Sequence, residues 1–200
     1  KCIKKQLYGE AYLVRFADDF LIMFQYERDA QRVYEAIIRR MELFGLELSK
    51  EKTRILPFGR NCGTRETFDF LGFTHFNSKT RKGYYSVGHK ISRKKKKQFK
   101  SNLKKWVKEN RTTQIDEFMK TLNKKLTGSF NYYSLSGMIK EVRNLWHHSL
   151  LLTFKWLNRR SQRRSFILER FCEIWKDRII HPYIHVDIWS GDKVIYIKNV

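Results

Sequence analysis

The chain has 200 residues, and its 42% hydrophobic and 15% aromatic content excludes an intrinsically disordered protein. No apolar run approaches the roughly 20 residues that span a bilayer, so we expect no membrane partner. The net charge is +22, and residues 91–200 hold 25 of the 42 Lys and Arg residues but only 9 of the 20 acidic ones. Aromatic residues are interleaved with this charge, which favours nucleic acid over a membrane surface.

Two adjacent carboxylates, Asp18 and Asp19, lie between the apolar runs Tyr12–Ala17 and Phe20–Phe24. Both runs have strand length and strand-favouring residues, so we predict a β-hairpin with an acidic tip. Carboxylates that close repel each other, and a site that keeps both ionised usually supplies a cation such as Mg²⁺, which prefers oxygen ligands. The alternative is a plain turn, in which Asp is common, although the usual Asn-Gly and Asp-Gly hairpin signals are absent.

The region up to residue 91 is predicted to be α+β, with antiparallel strands and one packed helix. Asp29 is predicted to cap a helix whose apolar face extends to Phe44, with Gly45 as its C-terminal stop. The pattern predicts further strands, separated by a loop over residues 59–67 and a turn over residues 79–83. These strands are Thr53–Phe58, Phe68–Phe76 and Tyr84–Val87.

The region from residue 92 is predicted to be helical, with helices opening at Ser92, Thr113 and Ser136 and a last helix carrying the apolar positions from Phe166 to Trp175. Several of its side chains are candidate nucleic-acid contacts. Lysines suit phosphates, arginines suit bidentate phosphate contacts, and tyrosines stack on bases. The candidates are Lys94, Lys95, Lys96, Lys97, Tyr132, Tyr133, Arg159, Arg160, Arg163 and Arg164. A solvated lysine face, and core packing of one tyrosine, are the alternatives.

An acidic hairpin beside a basic helical region suits phosphoryl transfer on nucleic acid, in which two cations about 4 Å apart stabilise the attacking and leaving oxygens. Successive strand residues point to opposite faces, so a further carboxylate must come from a neighbouring strand. Asp69 alternates with Phe68 and Phe70 and is predicted to face solvent. We therefore expect the missing ligand upstream of Lys1, in line with the absence of an initiator Met and of a signal peptide.

Five motifs occur in order along the chain: Arg15–Phe20, Leu48–Ile55, Phe70–Phe73, Gly128–Tyr133 and Lys155–Arg164. The first resembles the Tyr-Ala-Asp-Asp motif of reverse transcriptases, with Phe in place of Tyr. The second resembles the lysine-bearing motif that follows it, and the third resembles the primer-grip hairpin. The last two resemble the thumb, or maturase domain X. Together they resemble group II intron-encoded reverse transcriptase/maturases.

The resemblance implies the C-terminal part of a polymerase palm over residues 1–91 and an all-α thumb/maturase domain over residues 92–200, with the fingers and the first palm Asp absent. It implies an RNA-directed DNA polymerase in the full-length protein and an inactive fragment alone. The implied residues are Asp18 and Asp19 as catalytic metal ligands, Lys52 near the incoming triphosphate, and Leu71, Gly72 and Phe73 as the primer grip.

The implied cofactor is Mg²⁺ at a two-metal site that an upstream Asp completes. The implied partners are intron RNA, an RNA template with a DNA primer, dNTPs and the upstream fingers/palm segment. A non-catalytic RNA-binding splicing factor is the alternative, and the domain X motifs argue against a retron enzyme. Three cysteines without Cys-x-x-Cys spacing argue against a disulfide framework and favour a reducing compartment, which we expect to be the cytoplasm of a bacterial host or an organelle.

Overall fold

The computed structural model describes residues 6–49, 51–60, 62–160 and 166–184. Its mixture of helices and short antiparallel strands confirms the predicted α+β class. The elements in chain order are β1 (Ala11–Phe16), β2 (Asp19–Phe24), α1 (Glu27–Leu43), β3 (Thr67–Phe70), β4 (Phe73–Lys79), β5 (Tyr85–Ile91), α2 (Arg93–Glu109), α3 (Ile115–Tyr133), α4 (Ile139–Leu157) and α5 (Leu168–Trp175). The strands form two sheets, β1-β2 and β3-β4-β5.

The contacts within the chain define two compact units. The first comprises Lys1–Leu71 with His75–Gly88, and the second comprises Gly72–Thr74 with His89–Val200. Strands β4 and β5 therefore contribute residues to both units. The predicted boundary between palm and thumb at residue 91 stays a prediction.

The predicted hairpin of the first unit is confirmed, and α1 follows it directly. Strand β1 pairs antiparallel with β2, and Phe16 lies opposite Asp19. The end of α1 is also as predicted. Gly45 has a φ of 65°, and the amides of Gly45 and Leu46 donate to carbonyls of the last helical turn at 3.0 Å, a Schellman motif.

Asp29 does not cap α1, and this prediction is wrong. The helix begins at Glu27, two residues earlier. Asp29 lies in the first turn, is only 1% exposed, and accepts the backbone N–H groups of Tyr8 at 3.0 Å and Gly9 at 2.9 Å through Oδ2. The Asp29 carboxylate therefore links the segment before β1 to α1. It accepts the backbone N–H groups of that segment, whereas an N-cap would accept amides of its own helix.

Two of the predicted strands are also wrong. Residues 53–58 form no strand: Pro57 has no N–H to give to a ladder, and Arg54 instead donates to the carbonyl of Thr67 at 2.6 Å. The run Phe68–Phe76 is not one strand but β3 and β4, joined by a two-residue turn. Leu71 and Gly72 both have positive φ, 50° and 80°, as such hairpin turns require. An apolar residue in the turn hid it from the pattern.

Asn77 on β4 organises the segment that replaces the lost strand. Its Oδ1 accepts the Gly59 amide at 3.2 Å and the Tyr85 hydroxyl at 2.9 Å. Its Nδ2 donates to the Thr64 carbonyl at 3.3 Å. One amide side chain thus satisfies backbone groups that no ladder pairs.

The helices of the second unit form as predicted, with three starts displaced. The Ser92 hydroxyl accepts the Lys95 amide at 3.4 Å and caps α2, as predicted. Helix α3 begins at Ile115 rather than at Thr113. Helix α4 begins at Ile139 because Gly137, at a φ of 83°, lies outside helical geometry. The last helix begins at Leu168, two residues after Phe166, where the predicted apolar span starts.

The core of the second unit is apolar and fully enclosed. Its side chains come from all four helices and from the segment after α5. The least exposed are Val107, Phe118, Leu122, Leu126, Phe130, Val142, Leu157, Phe171 and Ile179. Among the described residues, no helix combines the length and the apolar composition that crossing a membrane would require.

We expect Leu122→Ala to lower the free energy of unfolding of the second unit by about 2–5 kcal/mol, because Leu122 is fully buried and its loss leaves a cavity. Leu151, 41% exposed on α4, is the matched control, and Leu151→Ala should cost about 1 kcal/mol or less. Urea unfolding followed by tryptophan fluorescence reports this unit, since all five Trp residues follow residue 100. Equal losses for the two variants would contradict this core.

Candidate active site and nucleic-acid interface

The acidic pair lies at the tip of the β1-β2 hairpin, and both carboxylates are exposed. Asp18 is in the two-residue turn and Asp19 is the first residue of β2. Ala17 has a φ of 52°, in the left-handed region that side chains other than Gly and Asn seldom adopt. Arg15 Nε donates to the Ala17 carbonyl at 2.9 Å. This hydrogen bond stabilises a strained turn, and the strain is located beside the two candidate ligands.

The donors at the tip fit Mg²⁺ in kind, because carboxylate oxygens are the ligands that this hard cation prefers. The two carboxylates are too few to complete a two-metal site. Across the ranges that the structure describes, no three His, Cys, Asp or Glu side chains cluster as a metal site would require. Asp69 is exposed on β3, as predicted. A further carboxylate must therefore reach the tip for two metals to bind there.

The hairpin exposes large apolar side chains on both faces. Leu13 and Val14 are 64% and 44% exposed, and as neighbours in a strand they point to opposite faces. Phe16, Phe20 and Met23 are exposed as well. A two-stranded ribbon of this kind has little stability of its own, so its apolar faces are suited to contact with further protein.

Lys52, the candidate triphosphate contact, is exposed in the first unit. It follows a turn in which the amides of Lys52 and Thr53 donate to the Ser49 carbonyl, at 3.1 and 2.9 Å. Lys50 of the same motif lies outside the described residues.

In the second unit, Gly72 and Phe73, which are predicted to belong to the primer grip, contact the candidate tyrosines. The Phe73 ring stacks on Tyr132, with centroids 5.5 Å apart and planes at 19°, and contacts Tyr133 edge to face. A Cβ on Gly72 would lie 3.4 Å from the Tyr133 hydroxyl and 3.5 Å from Lys95 Cγ. Two groups of residues separated by about sixty positions in the sequence thus form one surface, which we call the aromatic platform: Gly72, Phe73, Lys95, Tyr132 and Tyr133. Leu71 belongs to the first unit.

The two tyrosines of the platform differ in exposure. Tyr132 is 51% exposed. Tyr133 is half-buried, and burial, followed by the neighbouring Tyr132, raises its pKa. Tyr133 therefore packs inside the unit, while about half of Tyr132 is exposed.

The four lysines at the start of α2 are not equivalent. Lys94, Lys95 and Lys97 are exposed. Lys96 Nζ lies 2.5 Å from Glu141 Oε2, in a partly buried ion pair that joins α2 to α4. The first turn of α2 holds no acidic residue, although the positive end of a helix dipole disfavours cations. Lys94, Lys95 and Lys97 are thus placed where an anionic partner would offset the repulsion.

The two described arginines of the C-terminal cluster also differ. Arg160 donates through Nε to the Arg111 carbonyl and through Nη2 to the Thr113 carbonyl, the latter at 2.6 Å. Burial lowers its pKa. Arg159 is exposed, with Cζ 5.3 Å from the centroid of the Trp156 ring. Arg163 and Arg164 lie outside the described residues.

Arg111 is a residue of this region that the sequence analysis missed. Its Cζ lies 5.7 Å from the centroid of the same Trp156 ring. Arg111 lies 45 residues before Trp156, so no local sequence pattern links the two. Arg111 is also a single charged residue among the polar residues that connect α2 to α3.

Two family models match the chain, in the order that the motifs predict. One describes a reverse transcriptase (RNA-dependent DNA polymerase) and matches residues 1–75, which include the acidic hairpin and the primer-grip turn. The other describes the group II intron maturase-specific domain and matches residues 96–172, from α2 into α5. No curated protein matches as a close relative. The chain therefore belongs to the reverse transcriptase/maturases of group II introns.

Proposed function

We propose that the full-length protein copies RNA into DNA at the acidic hairpin of this chain and binds its intron RNA through the basic helical unit, which assists folding and splicing of the intron. The observation that carries the proposal is the exposed Asp18-Asp19 pair on a strained turn, in one chain with a basic unit that bears a partly exposed aromatic platform. The substrates are dNTPs and an RNA template with a DNA primer. The cytoplasm of a bacterial host or an organelle is the proposed location.

In this proposal, Asp18 and Asp19 hold Mg²⁺ at the polymerase site. Together with a further carboxylate they would hold two ions, and the chemistry that such ions would supply is charge stabilisation at the attacking and leaving oxygens. The hairpin positions the two carboxylates: the left-handed Ala17 directs the chain around the tip, and Arg15 donates to the Ala17 carbonyl in that turn. Lys52 contributes a positive charge for the triphosphate.

The remaining carboxylate is proposed to come from a palm strand upstream of this sequence. Support comes from the tip, where two donors fall short of a two-metal site, and from the two-stranded hairpin itself, which has little stability alone and exposes apolar faces that further parts of the protein would cover. It follows that the 200-residue chain alone binds RNA but does not polymerise.

The helical unit is proposed to act as the thumb and maturase domain. Exposed lysines of α2 contact phosphates, which position an RNA without reading its sequence. Tyr132 stacks on an unpaired base, and the Leu71-Gly72-Phe73 turn contacts the primer. Gly72 carries no side chain, which lets Tyr133 and Lys95 pack closely against this turn. Lys96 and Arg160 serve the structure of the unit instead.

We expect Asp18→Asn, in the intron-encoded protein with its upstream palm, to lower the rate of DNA synthesis by about a thousandfold or more, since metal stabilisation of the transition state contributes several kcal/mol. Affinity for intron RNA should stay unchanged. Asp69→Asn removes an equivalent exposed carboxylate from β3 and is the control. The measurement is primer extension together with RNA binding.

Two outcomes of this experiment decide between the candidate functions. Wild-type synthesis by Asp18→Asn would refute the metal role. A wild-type protein that assists splicing but never extends a primer would instead identify the non-catalytic splicing factor.

We expect the lysines of α2 to separate into two classes by salt dependence. The double variant Lys94→Ala/Lys97→Ala should weaken binding to intron and unrelated RNA alike and flatten the dependence of log K on log salt by about 0.7–0.9 per lost contact. Lys96→Ala should leave that slope unchanged and lower the free energy of unfolding by about 1 kcal/mol, because it breaks the pair with Glu141. A Lys96→Ala slope as flat as that of the double variant would contradict this division.

We expect Tyr132→Ala to weaken binding of single-stranded RNA by about 1–3 kcal/mol, the usual contribution of a base stacked on an aromatic ring. Tyr132→Phe keeps the ring and should bind as the wild type does. Titration of a labelled single-stranded RNA measures both. If Tyr132→Phe loses as much affinity as Tyr132→Ala, the ring is not a stacking surface and the hydroxyl is the group that matters.

A further inference from the structure

Two arginines from distant parts of the chain lie against one tryptophan at the C-terminal end of α4. Arg111 comes from the connection between α2 and α3, and Arg159 directly follows α4. Their Cζ atoms lie 5.7 and 5.3 Å from the centroid of the Trp156 ring, within the range of cation-π contact. The indole is itself only 8% exposed, so its ring is a fixed support for both guanidinium groups.

The guanidinium groups of Arg111 and Arg159 are poorly satisfied by the protein. Arg111 Nη1 reaches the Lys108 carbonyl at only 3.4 Å, and its Nε is buried without a hydrogen-bond partner in the described part of the chain. Neither arginine forms an ion pair with any carboxylate of residues 6–49, 51–60, 62–160 and 166–184. Each guanidinium carries five N–H donors. Arg111 places only one long bond, and the Arg159 guanidinium none, on acceptors of the described residues, so both keep donors for an anion.

Arg160 fixes this arrangement without being free to bind an anion itself. Its guanidinium donates to the backbone carbonyls of Arg111 and Thr113. The connection between α2 and α3 is thereby held against the end of α4, with Arg111 on the Trp156 ring. Arg160 is thus a positioning residue.

We infer that Arg111 and Arg159, supported by Trp156, form a binding site for phosphodiester groups of RNA. The inference rests on the proposed RNA-binding function of this unit and assigns a site within it. A guanidinium forks onto phosphate oxygens with two hydrogen bonds, and stacking on an aromatic ring orients it in advance. The ammonium groups of α2 lack this orientation, so the arginine site makes the more directional contact.

The experiment measures binding of a fluorescein-labelled poly(U) RNA to the full chain over a salt series. Arg111→Gln and Arg159→Gln should each lower affinity about tenfold, as expected for loss of a charge-assisted contact. Each should also flatten the salt slope by about 0.7, the value for one phosphate contact on a single strand. The control is Arg143→Gln, which removes the same charge from an exposed position on α4 and should change affinity less than threefold.

Arg111→Lys keeps the charge but loses the fork and the stacking, and it should bind between the wild type and Arg111→Gln. Arg160→Lys keeps its charge as well, yet it should flatten the salt slope as Arg111→Gln does, because Arg111 is no longer held on Trp156. A merely structural Arg160 would lower the melting temperature and leave that slope unchanged, which would overturn its positioning role.

Three results would overturn the site. If the wild type binds RNA and Arg111→Gln behaves as Arg143→Gln does, the site is refuted and the proposed RNA-binding function stands. The same holds if Arg111→Lys binds as tightly as the wild type, since bulk charge would then suffice. If the wild type does not bind RNA, both the site and the proposed RNA-binding function fail.

Discussion

Apolar packing between α3 and α4 is the interaction on which the second unit depends. Leu122, Leu126 and Phe130 of α3 and Val142 and Leu157 of α4 are almost fully buried, and each such side chain contributes about 1.5–3 kcal/mol by leaving water. This packing fixes the positions of α3 and α4. Polar side chains near the helix ends are therefore held either against acceptors of the protein or in solvent.

The positively charged side chains near these helix ends fall into two groups. Lys96 and Arg160 are directed at protein acceptors, a carboxylate in one case and backbone carbonyls in the other. Lys94, Lys97 and Arg159 remain exposed. A charge count alone treats all five as one polyanion-binding surface, whereas burial and hydrogen bonding separate those that shape the surface from those that remain available on it.

Local rules predicted the features that depend on local chemistry. The acidic hairpin, the Ser92 cap and the Gly45 stop each follow from a few adjacent residues, and each is confirmed. The prediction that Asp29 caps α1 was wrong because the partners of Asp29, the amides of Tyr8 and Gly9, lie about twenty positions earlier. The sequence pattern did not predict the Leu71-Gly72 turn, because Leu71 is apolar yet takes a backbone conformation that is usual for Gly or Asn.

The candidate sites show the same limit. The adjacent pair Asp18-Asp19 was evident from sequence, since its cost within an apolar run is local. The approach of Arg111 and Arg159 to the same Trp156 ring was not, because it depends on how three helices pack. The aromatic platform lies between these cases: its two halves were each recognised as motifs, but only packing brings Phe73 onto Tyr132.

The two-residue turn at the acidic tip also determines which face of the hairpin each side chain of β1 and β2 occupies. Phe16 pairs with Asp19 because only Ala17 and Asp18 intervene, and side chains alternate between faces along each strand. One inserted or deleted residue in this turn would shift the register by a single position and exchange the two faces along a whole strand. The hairpin can therefore tolerate a change of side chain, such as Tyr to Phe at position 16, far better than a change in length.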